Sequence, residues 1–469
     1  MLFCTVINFD IARNLKETLL VTRMGAEAIP FVKFWVVMPA ALVFLITYSW
    51  LANHLSKAWL FRVSIIPFII WMLAFTWLIY PALDELAPGR LCDFLENWLP
   101  VQLQIVTELL YYWPLVVLFT AAELWGAAVI SILFWTTAND LHTSDSAEKS
   151  YPWIAMLGNL ASLVSGPLIL FCISNNSSQG AAGWQLSMNQ LSVLFLINGI
   201  IILLLHNSCN KQRCKKSSII KRQALSSESK APVTHLPLTE SIRFLSHSTN
   251  VRYIALVMLF YCVCINMLEV AWKSQVVQVF ATELEYATFM GKMTLMSGFG
   301  CIVCGLCLFR LLSKGWQAAA LATPVLMLIT AVPFFLIVLY NQNQLSTTGF
   351  FSVELLSLSV YIGLISNVLS KSAKYTLFDA TKEMVFVPLG NEEKYKGKAA
   401  IELLVSRLGK SGSAFMQQLL IIVLGSLSLA MIWLGGIFFI AVLWWLVVIG
   451  VLDKSRNNAK ANPEIKVIT

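Results

Sequence analysis

Long apolar runs recur along the whole chain, and they limit what it can fold into more than any other feature. A membrane-spanning helix needs about 20 mostly apolar residues, and the 469-residue sequence has room for twelve such segments. Hydrophobic residues make up 58% of the chain and its mean hydropathy is +0.73, whereas soluble domains are about 45–50% apolar. We therefore expect an all-α membrane protein. The predicted spans are residues 2–22, 31–53, 60–80, 109–137, 151–173, 189–206, 251–275, 287–312, 317–340, 350–378, 399–427 and 431–452.

Lysine and arginine are concentrated on one set of the predicted loops, and this distribution orients the chain. Six of them lie between Lys211 and Arg222, and four more follow the last span. Basic loops stay on the cytoplasmic side, whereas the loop 81–104 carries four acidic residues and one basic residue, Arg90. Both termini are therefore expected in the cytoplasm. The predicted divisions are an N-terminal six-helix half (1–206), a basic cytoplasmic linker (207–245), a C-terminal six-helix half (246–453) and a cytoplasmic tail (454–469).

The first predicted span is unusual because four charged residues interrupt it. Helical spacing places Asp10, Arg13 and Glu17 on one face, with Lys16 beside them. Such a face suits a helix that borders a polar cavity inside the protein. The alternative is an amphipathic helix lying at the membrane surface.

Ionisable residues also occur in the fourth and seventh spans. Glu123 is a lone carboxylate in a strongly apolar segment, where it needs a partner or a proton. Glu269 and Lys273 are four residues apart, so they could neutralise each other on one helical face. The first and seventh spans are corresponding positions of the two halves. Parallel halves with facing charged helices are the arrangement by which major-facilitator transporters build a site near the middle of the membrane.

The stretch from Lys371 to Gln418 is unusually basic for this apolar chain, and its cations continue into helix-forming sequence. Cations at membrane depth are costly and often mark an ion or substrate path. A cavity lined by several of them would need an anion, and phosphates match both the point charge of lysine and the fork of arginine. The cations expected in this cavity are Arg13, Lys16, Lys273, Lys374, Arg407 and Lys410.

The carboxylates Glu123 and Glu269 have three possible roles beside such cations. They could hold the lysines when the cavity is empty, contact polar parts of the substrate, or bind a proton. The residue pattern alone does not rank these roles.

Two motifs that imitate other chemistries are set aside. Cys301, Cys304 and Cys307 have the spacing of a cluster motif, but they form one stripe of an apolar helix and are interpreted as packing residues. Residues 409–411 (GKS) resemble the end of a P-loop, but Leu404 stands where the motif requires glycine. We therefore expect no cofactor, no metal site and no hydrolysis of ATP.

Two other classes of protein are alternatives to a transporter. A membrane enzyme such as a lipid-linked phosphotransferase would also gather lysines near phosphate, and a nucleotide receptor would bind its ligand without transporting it.

Five long motifs resemble the nucleotide transporter family known as the ATP/ADP translocases of chlamydiae, rickettsiae and plastids. They lie in order and cover both halves of the chain. The motifs are INFDIARNLKETLLVT (7–22), ELWGAAVISILFW (123–135), INMLEVAWKSQ (265–275), LSKSAKYTLFDATKEMVFVPL (369–389) and KGKAAIELLVSRLGKSG (396–412).

This resemblance implies twelve transmembrane helices in a major-facilitator-like arrangement and nucleotide transport by alternating access. It implies that Lys16, Glu123, Glu269 and Lys410 are needed for transport, and it places Lys374 and Lys398 in family motifs.

We expect an ATP/ADP exchanger in the inner membrane of an intracellular bacterium, or alternatively in the plastid inner envelope. Proton-coupled import of another nucleotide, such as GTP, UTP or NAD, is the alternative function. The expected partners are the nucleotide and the lipid bilayer, without nucleic acid, and the expected state is a monomer.

Overall fold

The computed structural model describes residues 1–141, 150–151, 154, 156–176, 179–223, 249–348, 353–386 and 405–461, and within these ranges its main elements are helices. They are α1 (Leu2–Met24), α2 (Ala28–His54), α3 (Lys57–Ile79), α4 (Gly89–Trp98), α5 (Gln104–Tyr111), α6 (Trp113–Asn139), α7 (Met156–Ser174), α8 (Gly180–Gln223), α9 (Thr249–Val279), α10 (Glu283–Ser313), α11 (Trp316–Thr348), α12 (Val353–Val385), α13 (Ser406–Leu424) and α14 (Leu427–Ala461).

Ten helices in the described ranges are long and apolar enough to cross a membrane, namely α2, α3, α6 to α12 and α14. The helices α1 and α13 are not among the ten because charged and polar side chains interrupt their apolar sequence. The predicted all-α membrane fold is confirmed, and the number of twelve spans stays a prediction.

Two segments that were predicted as loops contain helical residues. Helix α8 continues past the predicted end at residue 206 to Gln223, so the first part of the basic linker is helical. Residues 224–248 lie outside the described part of the chain. The predicted loop 81–104 contains helix α4 and the start of helix α5.

The chain divides into two compact units. Unit 1 comprises Met1–Ala28, Trp35–Thr234 and Phe280–Gly298, and unit 2 comprises Ile29–Phe34, His235–Val279 and Phe299–Thr469.

Helix α1 forms the centre of unit 1, where it packs against α6, α7 and α8. Two hydrogen bonds to backbone carbonyls fix it: Asn8 Nδ2 donates to Phe195 O at 3.0 Å, and Trp125 Nε1 donates to Thr5 O at 3.0 Å. Its apolar residues, such as Leu15, are buried. Helix α1 is thus an interior helix of the unit and not an amphipathic helix at the membrane surface.

A glycine lets α7 pack closely on the first part of α10 in unit 1. A Cβ atom at Gly166 would lie 2.8 Å from both the backbone nitrogen and the Cβ of Leu295. Small residues permit such close approach of membrane helices.

Helix α9 has the central position in unit 2, where it packs against α12, α13 and α14. Its Trp272 is fully buried, and the indole Nε1 donates a hydrogen bond to Val360 O on α12 at 2.9 Å. The ring lies over Gly363, where an added Cβ would be 2.1 Å from Trp272 Cδ1. The interior side chains of α9 are therefore held in fixed positions.

Three of the membrane-spanning helices contain π-helical turns near charged residues. These turns are Lys33–Val37 in α2, Gly126–Phe134 in α6 and Lys374–Phe378 in α12. A π-helical turn changes which face of the helix its residues occupy, and such turns are frequent at functional sites. Lys33 begins the turn in α2, Lys374 begins the turn in α12, and Glu123 lies just before the turn in α6.

Candidate functional site

Unit 1 brings together two of the predicted site residues, Lys16 of α1 and Glu123 of α6. Lys16 Nζ and Glu123 Oε1 form an ion pair, and the lysine also lies 4.1 Å from the centre of the Phe119 ring. Lys16 is buried, whereas the Glu123 side chain is partly exposed. The buried ammonium therefore receives stabilisation from both the carboxylate and the ring face.

The remaining charges of α1 have partners within unit 1. Arg13 Nε pairs with Glu17 Oε1 one helical turn later, at 3.2 Å. Asp10 Oδ2 accepts hydrogen bonds from two hydroxyls of α7, Ser162 Oγ at 2.9 Å and Ser165 Oγ at 2.5 Å. The sequence-based expectation that these residues share a polar face is consistent with this arrangement, but the two serines were not anticipated.

Unit 2 contains a larger group of charges centred on Glu269 of α9. Glu269 Oε1 lies 3.1 Å from Lys273 Nζ and 3.0 Å from Lys371 Nζ, and its Oε2 lies 3.8 Å from Lys33 Nζ. We call these four residues the Glu269 cluster. The pairing of Glu269 with Lys273 that their spacing predicts is present, but it is one contact of three.

Lys33 and Lys371 are functional candidates that the sequence analysis did not place in the site. Lys33 is a single cation near the start of an apolar span, and Lys371 lies in the basic stretch that was singled out. The signal for Lys33 was its position at membrane depth, where a cation requires a partner. Which carboxylate supplies that partner depends on tertiary packing and could not be read from spacing.

Polar side chains extend the Glu269 cluster from α9 to α13. Lys33 Nζ donates to Asn266 Oδ1 at 3.0 Å, and Asn266 Nδ2 donates to Ser413 Oγ at 2.9 Å. Both the oxygen and the nitrogen of the Asn266 side-chain amide are therefore hydrogen-bonded, which fixes the orientation of the amide. Asn266 and Ser413 are buried, so this connection lies in the interior of unit 2.

The other predicted site residues of unit 2 lie apart from these contacts. Lys374 Nζ pairs with Asp379 Oδ2 at 3.4 Å and lies 4.2 Å from the centre of the Tyr375 ring. Arg407 has a buried Nη1 that finds no hydrogen-bond partner among the described residues. Lys410 is exposed and forms no ion pair within the described ranges. Lys398 lies outside the described residues.

The two groups of charges differ in their composition. In unit 1, two cations (Arg13 and Lys16) accompany the carboxylates Asp10, Glu17 and Glu123. In the Glu269 cluster, three lysines lie 3.0–3.8 Å from the carboxylate of one residue. Several ammonium groups gathered in the protein interior match a polyphosphate.

No group of His, Cys, Asp and Glu side chains in the described part of the chain has the arrangement of a metal site.

Comparison with solved structures identifies the fold. The chain is similar to a bacterial homologue of the iron transporter ferroportin in its inward-facing state, with a TM-score of 0.58, 13% identity and 96% of each chain covered. It is also similar to the D-xylose–proton symporter, with a TM-score of 0.52, 11% identity and 95% of each chain covered. The helices are thus arranged in a major-facilitator-like transporter fold.

Comparison with characterised sequences identifies relatives along the whole chain. ADP,ATP carrier protein 1 of Chlamydia pneumoniae is 34% identical over 462 residues, covering 97% of this chain and 89% of the relative. The plastidic ATP/ADP-transporter of Solanum tuberosum is 36% identical over 471 residues, covering 99% of this chain and 73% of the relative.

The family model described as TLC ATP/ADP transporter matches residues 1–455. The expectation of a transporter rather than an enzyme is confirmed by this match and by the relatives. The protein is a multi-pass membrane protein, and its chain belongs to the TLC ATP/ADP transporter family.

Proposed function

We propose that the protein exchanges ATP for ADP by alternating access across the inner membrane of an intracellular bacterium, with both termini in the cytoplasm. The names of the bacterial and plastid relatives support these two nucleotides. The fold supports alternating access because major-facilitator-like transporters work by movement of one half against the other.

The single observation that carries this proposal is the convergence of three lysines on the carboxylate of Glu269. Lys273 is almost completely buried, with 2% of its side chain exposed, and it shares the carboxylate of Glu269 with Lys371 and Lys33. Moving a nucleotide from water to the protein interior removes the hydration of its phosphates. Three lysines supply charge-assisted hydrogen bonds that offset this loss.

Glu269 has the role of a substitute anion in this mechanism. Without nucleotide, it holds the lysines together and reduces their mutual repulsion. When the phosphates arrive, the lysines exchange contacts with Glu269 for contacts with phosphate oxygens. This exchange keeps the buried cations compensated both with and without substrate, and it requires no change in the charge of the protein.

The Lys16–Glu123 pair of unit 1 has the corresponding role there. Lys16 is available to an anionic substrate once it leaves Glu123, and the partly exposed carboxylate can then accept hydrogen bonds from the nucleotide. We include Arg13, Lys374, Lys398, Arg407 and Lys410 among the residues that bind substrate during the cycle. Lys410 is the most accessible of the described ones because it is exposed and has no ion-pair partner there.

Uptake of labelled ATP into proteoliposomes tests the proposed exchange. Vesicles loaded with ADP should take up ATP several times faster than empty vesicles, and an uncoupler should leave the rate unchanged. If internal ADP does not change the rate of ATP uptake and the uncoupler stops it, the protein is a proton-coupled importer and not an exchanger. Mass spectrometry of the internal nucleotide should show unaltered ATP, since a phosphotransferase would produce a different compound.

A further inference from the structure

Helix α4 and the residues after it present an exposed apolar face that the transport cycle does not use. The exposed fractions are 49% for Leu91, 65% for Phe94, 74% for Trp98 and 74% for Val101. Leu91, Phe94 and Trp98 are three and four residues apart within α4, which places them on one side of the helix, and Val101 follows after the helix has ended. We call Leu91, Phe94 and Trp98 the Phe94 face.

The other sides of α4 have different environments. Cys92 is buried against α5, where its Sγ lies 3.8 Å from Thr107 O. Asp93, Glu96 and Asn97 are polar and exposed. Burial, followed by the negative charges of Glu27 and Glu96, raises the pKa of Glu108 on α5. The helix thus has a protein side, an acidic polar side and the Phe94 face.

One hydrogen bond and the end of a span place α4 relative to the membrane-spanning helices. The indole Nε1 of Trp113, the first residue of the α6 span, donates a hydrogen bond to Leu86 O at 3.2 Å just before α4 begins. The span α3 ends at Ile79, and its last turn carries Leu78, which is 71% exposed. The loop that contains α4 is therefore held at the ends of two apolar spans.

We propose that α4 lies along the membrane–water boundary with the Phe94 face inserted among the lipid headgroups and the upper parts of the acyl chains. A short amphipathic helix with a Trp on its apolar side has the properties of an interfacial helix, and Trp is enriched at this depth. Helix α4 follows the end of the α3 span, and the residues just before it are bonded to the start of the α6 span, so the lipid that surrounds these apolar spans is the occupant of the face. The acidic side of α4 makes apolar burial, and not attraction to anionic lipid, the driving force.

Photolabelling of the full-length protein in phosphatidylcholine vesicles tests this placement. The probe is a phosphatidylcholine that carries a diazirine near the glycerol end of one acyl chain, and labelled residues are identified by mass spectrometry. Leu91, Phe94 and Trp98 should receive several times more label than Asp93 and Asn97 on the polar side of the same helix. Equal labelling of both sides, or label in the spans without label in α4, would overturn the proposal.

Hydrogen exchange in lipid nanodiscs gives a second, independent readout. In the double variant Phe94→Gln and Trp98→Gln, the amide hydrogens of residues 89–101 should exchange with solvent faster than in the native protein, because the helix loses the apolar side chains that insert into lipid. The matched variant Asp93→Asn, on the polar side, should exchange at the native rate. Unchanged exchange in the double variant, or chemical cross-links that join two copies through α4, would contradict insertion into lipid. These results are independent of the transported nucleotide.

Discussion

Three lysines converge on the carboxylate of Glu269. Lys273 and Lys371 both approach its Oε1, at 3.1 and 3.0 Å, and Lys33 approaches its Oε2 at 3.8 Å. Lys33 differs from the other two lysines because it also donates a hydrogen bond to Asn266. Its removal leaves the two shorter ion pairs of Glu269, with Lys273 and Lys371, in place.

Lys33→Ala should lower ATP uptake by about tenfold, which corresponds to roughly 1.4 kcal/mol of lost substrate interaction. The variant should still fold, because Lys273 and Lys371 continue to neutralise Glu269. Initial rates at several ATP concentrations should show a raised KM. Lys33→Arg should retain more activity, since it keeps the charge.

The matched control for this variant is Lys314→Ala, which removes an exposed lysine at the turn between α10 and α11. Uptake by this variant should equal that of the native protein. If Lys33→Ala also transports at the native rate, Lys33 does not bind the nucleotide and its contacts serve only to fold unit 2.

Lys410→Ala should reduce uptake at least about tenfold without lowering the melting temperature. Lys410 is exposed and forms no ion pair among the described residues, so its removal leaves no buried charge uncompensated. A variant that melts normally and transports normally would remove Lys410 from the substrate site.

Lys16→Ala should lower uptake to the same extent but also destabilise the protein, because the ion pair between Lys16 and Glu123 is lost. The double variant Lys16→Ala and Glu123→Gln removes both charges. It should regain stability but not transport. Recovery of transport in the double variant would show that Lys16 serves to neutralise Glu123 rather than to bind nucleotide.

The sequence predicted which helices carry charged residues within their apolar segments, but not all of the partners of these residues. Spacing along one helix was sufficient for the Glu269–Lys273 and Arg13–Glu17 pairs, because residues four apart are neighbours on a helix. The contacts of Glu269 with Lys33 and Lys371 join three helices, and helical spacing carries no information about them. The π-helical turn that begins at Lys33 further changes the face on which this residue lies.

At the scale of single elements, close approach between helices depends on glycines at defined positions. Gly166 permits such approach, because an added Cβ there would lie 2.8 Å from the backbone nitrogen of Leu295. The sequence does not identify the partner helix, α10, because apolar spans of similar composition offer many equivalent surfaces. Only the packed structure distinguishes a glycine in a contact from a glycine facing open space.

Gly166→Ala should lower the melting temperature of the purified protein in detergent. The added Cβ would lie 2.8 Å from the backbone nitrogen of Leu295, so α7 or α10 must shift, and overpacking of this kind costs about 1–3 kcal/mol. Gly305→Ala on α10 is the matched control, since no atom lies within 4 Å of its added Cβ. It should leave the melting temperature unchanged or raise it slightly, because alanine favours helix more than glycine does. Equal melting temperatures for the two variants would show that α7 and α10 tolerate a wider separation.

At the scale of the whole molecule, apolar segment length predicted the class of fold with little help from other features. This works because backbone polar groups in lipid must be satisfied within helices, so long apolar runs leave few alternatives. The length of apolar segments is a weaker criterion for helices that carry charged and polar side chains. For this reason α1 and α13 are not among the ten helices that meet it. Their helical structure nevertheless follows the predicted spans.

The distribution of basic residues predicts the orientation of the whole chain. The ten basic residues between Lys211 and Arg222 and after the last span are expected in the cytoplasm, whereas the loop that contains α4 is acidic and is expected on the other side of the membrane. Alkaline phosphatase fused after Trp98 should be active, because it folds only outside the cytoplasm. Green fluorescent protein fused after Lys314 or at the C-terminus should be fluorescent, because it folds only inside. The opposite pattern would place both termini outside the cell, and it would move the Phe94 face of α4 from the outer to the inner leaflet.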